Sequence, residues 1–257
     1  MAELKLSACI EMIYNQVPEF TGRIERVADC GLKAVEFWGW KNKDLEGIAK
    51  FADDLGMAIA GFVCESDGAL VDPSNTQAWV EGAKVSILQA KQVGVPTLIV
   101  TTGQEMDSIG RTEQHAAVVA GLKGIAPFAE DNGITLVLEP LNIAVDHKGY
   151  YLATSDEGFE ILREVDSPRV KLLYDIYHQQ ITEGNLIQTF TENIDLIGHF
   201  HVADVPGRNE PGTGEINYAN VFRAIAATDY AGYIGLEFAP TDCHRGALQV
   251  TRDLAGV

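Results

Sequence analysis

A short theme recurs along this chain, and it limits the possible folds more than any other feature. A helical pattern closes on glycine, and within a few residues an apolar run begins. The theme reads ADCG-LKAVEFWGW at 28–40, ADDLG-MAIAGFVCE at 52–65, AKQVG-VPTLIVTTG at 90–103 and AEDNG-ITLVLEPLN at 129–142. Glycine suits the left-handed cap that ends an α-helix. The runs that follow are too apolar to be half exposed, so they read as strands covered on both faces. Strands of that kind belong to a parallel sheet with helices outside it.

Four further strands complete the pattern: KLSACIEMIY (5–14), VKLLYDIYH (170–178), LIGHFHVADVP (196–206) and YIGLEFAP (233–240). Helical patterns cover 18–30, 43–55, 74–93, 112–131, 155–165, 185–195 and 218–227, with a last one after Cys243. Asp72-Pro73-Ser74 and Thr154-Ser155-Asp156-Glu157 are helix start signals. Eight strand–helix units in 257 residues predict an α/β fold, a single (β/α)8 TIM barrel over 1–257. The rival, a doubly wound open sheet, lacks the GxGxxG expected after its first strand.

In such a barrel the active site lies at the C-terminal ends of the strands. Strand five ends TLVLEP with Glu139, strand six carries Asp175, strand seven reads GHFHVAD with His199 and His201, and strand eight reads YIGLEF with Glu237. A charged residue after four apolar ones is costly in a buried strand unless it is paired or binds a metal. Side chains alternate with a period of two, so His199 and His201 share a face. His201 is nearer the mouth, and His199 reads as a hydrogen-bonded histidine one layer deeper. Glu139, Asp175, His201 and Glu237 together suit one divalent ion, Mg²⁺ or Mn²⁺ with Co²⁺ as a third option. The competing reading, an ion-pair network through Arg169 or Lys171, suffers because Lys171 lies at the wrong end of its strand.

Thirty-seven acidic against nineteen basic residues give a net charge of −18. That charge repels phosphate backbones and argues against nucleic acid as a partner. No run of 18 apolar residues exists, so no membrane span is expected. The N-terminus lacks the features of a signal peptide, and the four cysteines form no CxxC, which together predict a cytoplasmic protein with reduced thiols.

EPLN (139–142) with GYYL (149–152), DIYHQQ (175–180) and HVADVPGRNEPGTGEINY (201–218) resemble the xylose-isomerase-like barrels, in particular the hydroxypyruvate isomerase group and its relatives the ketose 3-epimerases. The resemblance covers nearly the whole chain. It implies a metal-dependent isomerase of small sugars or sugar acids, with a homo-oligomer as a common assembly. It also implies that Glu139, Asp175, His201 and Glu237 hold the metal, that Glu139 and Glu237 are the acid–base pair, and that His178 contacts a substrate oxygen. The hydroxypyruvate isomerase branch commonly has Gln where this chain has His201, whereas the sugar 3-epimerases have His.

The expected chemistry is proton transfer on an α-hydroxy carbonyl through an enediolate stabilised by the metal. Arg208, in the loop after strand seven, is the candidate for a substrate carboxylate. Glu36 ends strand two and is expected, with Trp38 and Trp40, in the pocket wall. Asn142, Asp146 and Glu215 are weaker candidates, and Glu215 reads equally well as a loop staple before a helix capped by Asn217. His115, His147 and His244 belong to no motif. The leading reaction is hydroxypyruvate to tartronate semialdehyde. The alternatives are a 2-oxo-tetronate isomerase, a ketose 3-epimerase and a sugar-binding barrel without chemistry. A sugar-phosphate substrate ranks lower, and an apurinic endonuclease is disfavoured by the charge.

Overall fold

The four glycines of the repeated theme, Gly31, Gly56, Gly94 and Gly133, all adopt positive φ, between 65° and 82°. In the computed structural model, which describes residues 3–257, each turns the chain from a helix into the next strand. The strands are β1 (Lys5–Cys9), β2 (Ala34–Glu36), β3 (Ala58–Val63), β4 (Thr97–Val100), β5 (Thr135–Leu138), β6 (Val170–Asp175), β7 (Ile197–Val202) and β8 (Tyr233–Leu236). Each pairs in parallel with the next, and β8 pairs with β1, so the sheet closes into the expected barrel.

The helices are α1 (Phe20–Ala28), α2 (Leu45–Asp54), α3 (Thr76–Gln92), α4 (Arg111–Asn132), α5 (Ser155–Val165), α6 (Ile176–Thr182), α7 (Leu186–Glu192), α8 (Tyr218–Ala226) and α9 (His244–Ala255). Thr154 caps α5 by accepting from Glu157 N, and Asn217 caps α8 by accepting from Asn220 N, as their positions in the sequence suggest. Among the described residues, no helix is long and apolar enough to cross a membrane.

The main core lies between the sheet and the helices, where Tyr174, Phe190 and Phe200 pack edge to face. A second, smaller apolar cluster of Ile99, Val137 and Leu173, with Val63 against it, fills the barrel interior. Two residues beyond Val137 and Leu173, on the same face, come Glu139 and Asp175. The period of the strand therefore sets these carboxylates directly above the dry filling.

The four strands read at 5–14, 170–178, 196–206 and 233–240 all end earlier, at Cys9, Asp175, Val202 and Leu236. The first stops at Cys9, where a turn begins with Ile13 N donating to Cys9 O at 2.9 Å. The sixth stops at Asp175, because its carboxylate accepts from Tyr177 N at 2.7 Å and His178 N at 3.1 Å and so starts α6. Ile176, Tyr177 and His178 look like strand in an apolar run, but the Asp175 cap folds them into a helix.

Candidate active site

Four strands each deliver one ionisable side chain to the C-terminal rim of the barrel. Glu139 follows β5, Asp175 ends β6, His201 lies in β7 and Glu237 follows β8. All four are buried, and one donor atom from each lies within 4.8 Å of the others. Nδ1 of His201 stands 3.4 Å from Glu139 Oε1, 3.4 Å from Glu237 Oε2 and 4.0 Å from Asp175 Oδ2. This buried nitrogen makes no hydrogen bond. Desolvation alone would lower the His201 pKa, yet Glu237, Glu36 and Glu139 together raise it well above the ordinary imidazole value. Three carboxylates this close repel one another unless a cation sits among them. Lys171 donates to Asp195 O and Arg169 to Thr135 Oγ1, both at the opposite end of the barrel, so neither neutralises the cluster. The donor set, three carboxylate oxygens and an otherwise unused imidazole nitrogen, can hold one divalent metal ion.

Directly beneath lies a second buried group. Glu36 Oε1 is 2.8 Å from His201 Nε2, and Glu36 Oε2 is 3.1 Å from His199 Nε2 and accepts from Ser7 Oγ. Glu36 was expected in the pocket wall. Instead it is a floor residue, because the inward face of β2 ends one layer below the mouth. Glu36 is thus the charge partner of His201 on its Nε2 side, while Nδ1 faces the three carboxylates. Gly235 makes this approach possible, since a Cβ there would collide with Glu36 Oε1 and His201 Cδ2.

Burial would raise the Glu36 pKa, but His199 and His201 outweigh it and bring the pKa down to about 2 from the usual 4.5. A depressed carboxylate stabilises the fold above its unfolded pKa, and that contribution is lost as pH falls toward the folded value. The gap is worth roughly 3 kcal/mol. In chelator-treated protein, Glu36→Gln is therefore expected to flatten the fall in unfolding free energy between about pH 4.5 and 2. Urea titrations across that range check it, and wild-type and variant curves of equal slope would contradict it.

The roof of the site is formed by loops. Trp38 Nε1 donates to Glu237 Oε1 at 2.8 Å, and Arg208 Nη2 donates to Glu237 Oε2. Burial would raise the Glu237 pKa, yet His201 and Arg208 hold it well below the usual carboxylate range. Arg208 also lies over the Tyr177 ring, 5.4 Å from its centroid, and its buried Nε has no partner. His178 is fully buried in the first turn of α6. Its Nδ1 accepts from Asn142 Nδ2 at 2.6 Å, which leaves the ring proton on Nε2. Asn142 Oδ1 accepts from Val145 N and Asp146 N, which fixes the direction of the amide. His178 Nε2 has no hydrogen bond and lies 3.6 Å from Asp175 Oδ2, on the side of the cluster.

Three further sequence expectations change. Asn142 stands behind His178 and orients it rather than facing the site. Glu215 is exposed and accepts from Gln180 Nε2 at 3.1 Å, outside the buried cluster. Trp40 is drawn off by Glu65, which accepts from its backbone N–H, and by Ser86, which accepts from its ring at 3.2 Å. Conversely, two residues outside the candidate set stand beside the site, Tyr177 within DIYHQQ and His147 in the loop after Glu139. Tyr177 donates to Asp146 at 2.9 Å, and the His147 ring lies 5.2 Å from that of His178.

A family model described as xylose isomerase-like TIM barrel matches residues 24–254. The chain is 32% identical to a hydroxypyruvate isomerase from Escherichia coli, covering 92% of this chain and 94% of that protein. It is 30% identical to a 2-oxo-tetronate isomerase from Cupriavidus necator, covering 92% and 93%. Among solved structures, an AP endonuclease, family 2, from Brucella melitensis superposes with a TM-score of 0.92 at 24% identity, covering 97% and 98%. A D-psicose 3-epimerase from Clostridium cellulolyticum gives 0.83 at 18% identity, covering 98% and 99%. At these identities the two structures show the shared fold.

Proposed function

The chain belongs to the xylose isomerase-like TIM barrel family, and from that footing we propose that it is a metal-dependent isomerase converting hydroxypyruvate to tartronate semialdehyde. The observation that carries this reading is Arg208, a half-buried guanidinium whose buried Nε has no partner, beside a cluster suited to a divalent ion. A guanidinium in that place favours a substrate with a carboxylate next to its hydroxy-carbonyl group. The relatives named hydroxypyruvate isomerase and 2-oxo-tetronate isomerase act, by name, on substrates of this kind.

Glu139, Asp175, His201 and Glu237 are the residues that would hold Mg²⁺, Mn²⁺ or Co²⁺. Such an ion supplies Lewis-acid stabilisation of negative charge on oxygen. Glu139, whose carboxylate faces the cluster without a roof partner, takes the proton from the hydroxymethyl carbon. The electron pair of that C–H bond forms the carbon–carbon double bond of an enediolate, while the neighbouring carbonyl becomes an oxyanion. His178 Nε2–H is placed to donate to a substrate oxygen and steady that charge. The proton of the former hydroxyl passes to the oxyanion, the electron pair it leaves closes the aldehyde C=O, and the electron pair of the carbon–carbon double bond takes a proton back at the former carbonyl carbon. Glu237, whose Oε2 lies at the same 3.4 Å from His201 Nδ1, is the second carboxylate for this exchange.

NMR in D₂O with the Mn²⁺- or Mg²⁺-loaded protein tests the proposal. Conversion of hydroxypyruvate with deuterium uptake is expected, and silence from Glu237→Gln. A four-carbon 2-oxo acid turned over in preference would shift the substrate but keep the reaction. Exchange at C3 of free ketoses alone would overturn the proposal in favour of epimerisation, the reaction toward which His201 leans.

A further inference from the structure

The loop after β7 is built around one buried carboxylate that the reaction above does not use. Asp204 Oδ1 accepts from Val205 N at 2.9 Å and Ile216 N at 3.1 Å, and Oδ2 accepts from Gly212 N at 2.8 Å. Asp204 N donates to Asn209 O at 2.7 Å, and its carbonyl accepts from Arg208 N at 3.1 Å. The loop thus folds back on Asp204 from both directions. Gly214 passes so close that a Cβ would collide with Val205 O and Asp204 Oδ1.

At the centre of this turn Arg208 has φ of +56°, a left-handed conformation that residues with a side chain rarely adopt. Such a conformation persists only where its surroundings over-determine it. Here they do so twice. Asp204 holds the loop from within, and a second set of bonds ties it to the segment after β8. Ala239 N donates to Arg208 O at 2.9 Å, Asn209 Nδ2 donates to Ala239 O at 2.7 Å, and Glu210 accepts from Thr241 N at 2.9 Å and Thr241 Oγ1 at 2.6 Å. The strained backbone aims the guanidinium over Tyr177 and onto Glu237.

We propose that Asp204 is a positioning residue for carboxylate recognition: it locks Arg208 in its left-handed conformation and thereby fixes the guanidinium that selects acidic substrates. The inference rests on the reading of Arg208 as the carboxylate partner. A preorganised guanidinium binds a carboxylate without paying to order a loop, so loosening the loop weakens binding of the anion while the metal ligands stay in place. Asparagine at 204 keeps the shape but replaces one acceptor oxygen by an amide that donates, so at least one of the three backbone N–H groups loses its partner.

The test is a double-mutant cycle with Asp204→Asn and Arg208→Met, read by calorimetric binding of tartronate, a dicarboxylate, to Mn²⁺-loaded protein. Asp204→Asn is expected to weaken tartronate binding about 10-fold and to leave Mn²⁺ binding within about 2-fold. The double variant is expected to bind no more weakly than Arg208→Met alone. Glu210→Gln, which loosens the outer tie and leaves Asp204 intact, is expected to give a smaller loss of the same kind, and it decides the matter if Asp204→Asn does not fold. Wild-type binding by Asp204→Asn, additive losses, or no tartronate binding by wild type would each overturn the proposal. If the cycle behaves as expected while hydroxypyruvate is not converted, the proposed reaction fails and the role of Asp204 stands.

Discussion

Glu139→Gln is expected to lower kcat for hydroxypyruvate by about 10³-fold, the size of a lost general base. Glu139 and Glu237 flank His201 Nδ1 at the same distance, 3.4 Å, but they are not equivalent. Glu237 has a donor on each oxygen, Trp38 on one and Arg208 on the other, and a pKa held well below the usual range. A carboxylate stabilised in that way is a poor proton acceptor. Glu139 faces the cluster from β5 free of those two donors, so the proposed reaction assigns the first proton abstraction to it. Glutamine keeps a carbonyl oxygen for a metal but cannot take a proton. The measurement therefore pairs steady-state kinetics with Mn²⁺ binding on the same sample. A metal-loaded variant that keeps more than about a tenth of wild-type kcat would remove Glu139 from the role of base.

Chelation is expected to abolish turnover, and Mn²⁺ to restore it. The same ion should also raise thermal stability. Ligand held at about 1,000 times its dissociation constant stabilises the folded state by roughly 4 kcal/mol. For a chain of this length that corresponds to a rise in Tm of roughly 8–16 °C. The physical source is the repulsion among Glu139, Asp175 and Glu237, which among the described residues is offset by His201, its pKa raised, and by Arg208 at one edge. Differential scanning calorimetry of EDTA-treated protein, with and without Mn²⁺, measures the shift. Full activity in EDTA with an unmoved Tm would mean that His201 and Arg208 are the only cations the cluster needs.

Strand content and strand order were legible from the chain itself. The alternation of glycine-capped helices with apolar runs leaves few architectures, and a strand's period of two then assigns each inward residue. That is why Glu139, Asp175, His201 and Glu237 stand out together in the sequence: each follows apolar residues whose burial is local and strong. The boundary at Asp175 was not legible. Ile176 and Tyr177 are as apolar as a continuing strand, and only the capping carboxylate turns them into a helix that carries His178 inward.

What the sequence determined was the periodic part: eight strands, a closed parallel sheet, and four polar residues at strand ends. Backbone sterics and hydrophobic periodicity act within a few residues, so they can be read along the chain. The tertiary structure alone decided the rest. It set Glu36 beneath His201 and not in the pocket wall, turned Asn142 to the back of His178, sent Glu215 to the surface, and hung Arg208 over Glu237. These outcomes depend on how deep each strand sits in the barrel and on hydrogen bonds between loops far apart in the chain, such as Glu210 with Thr241. Register between distant strands and ties between distant loops leave no periodic trace in the sequence, because they follow from closing the barrel and not from any one segment of it.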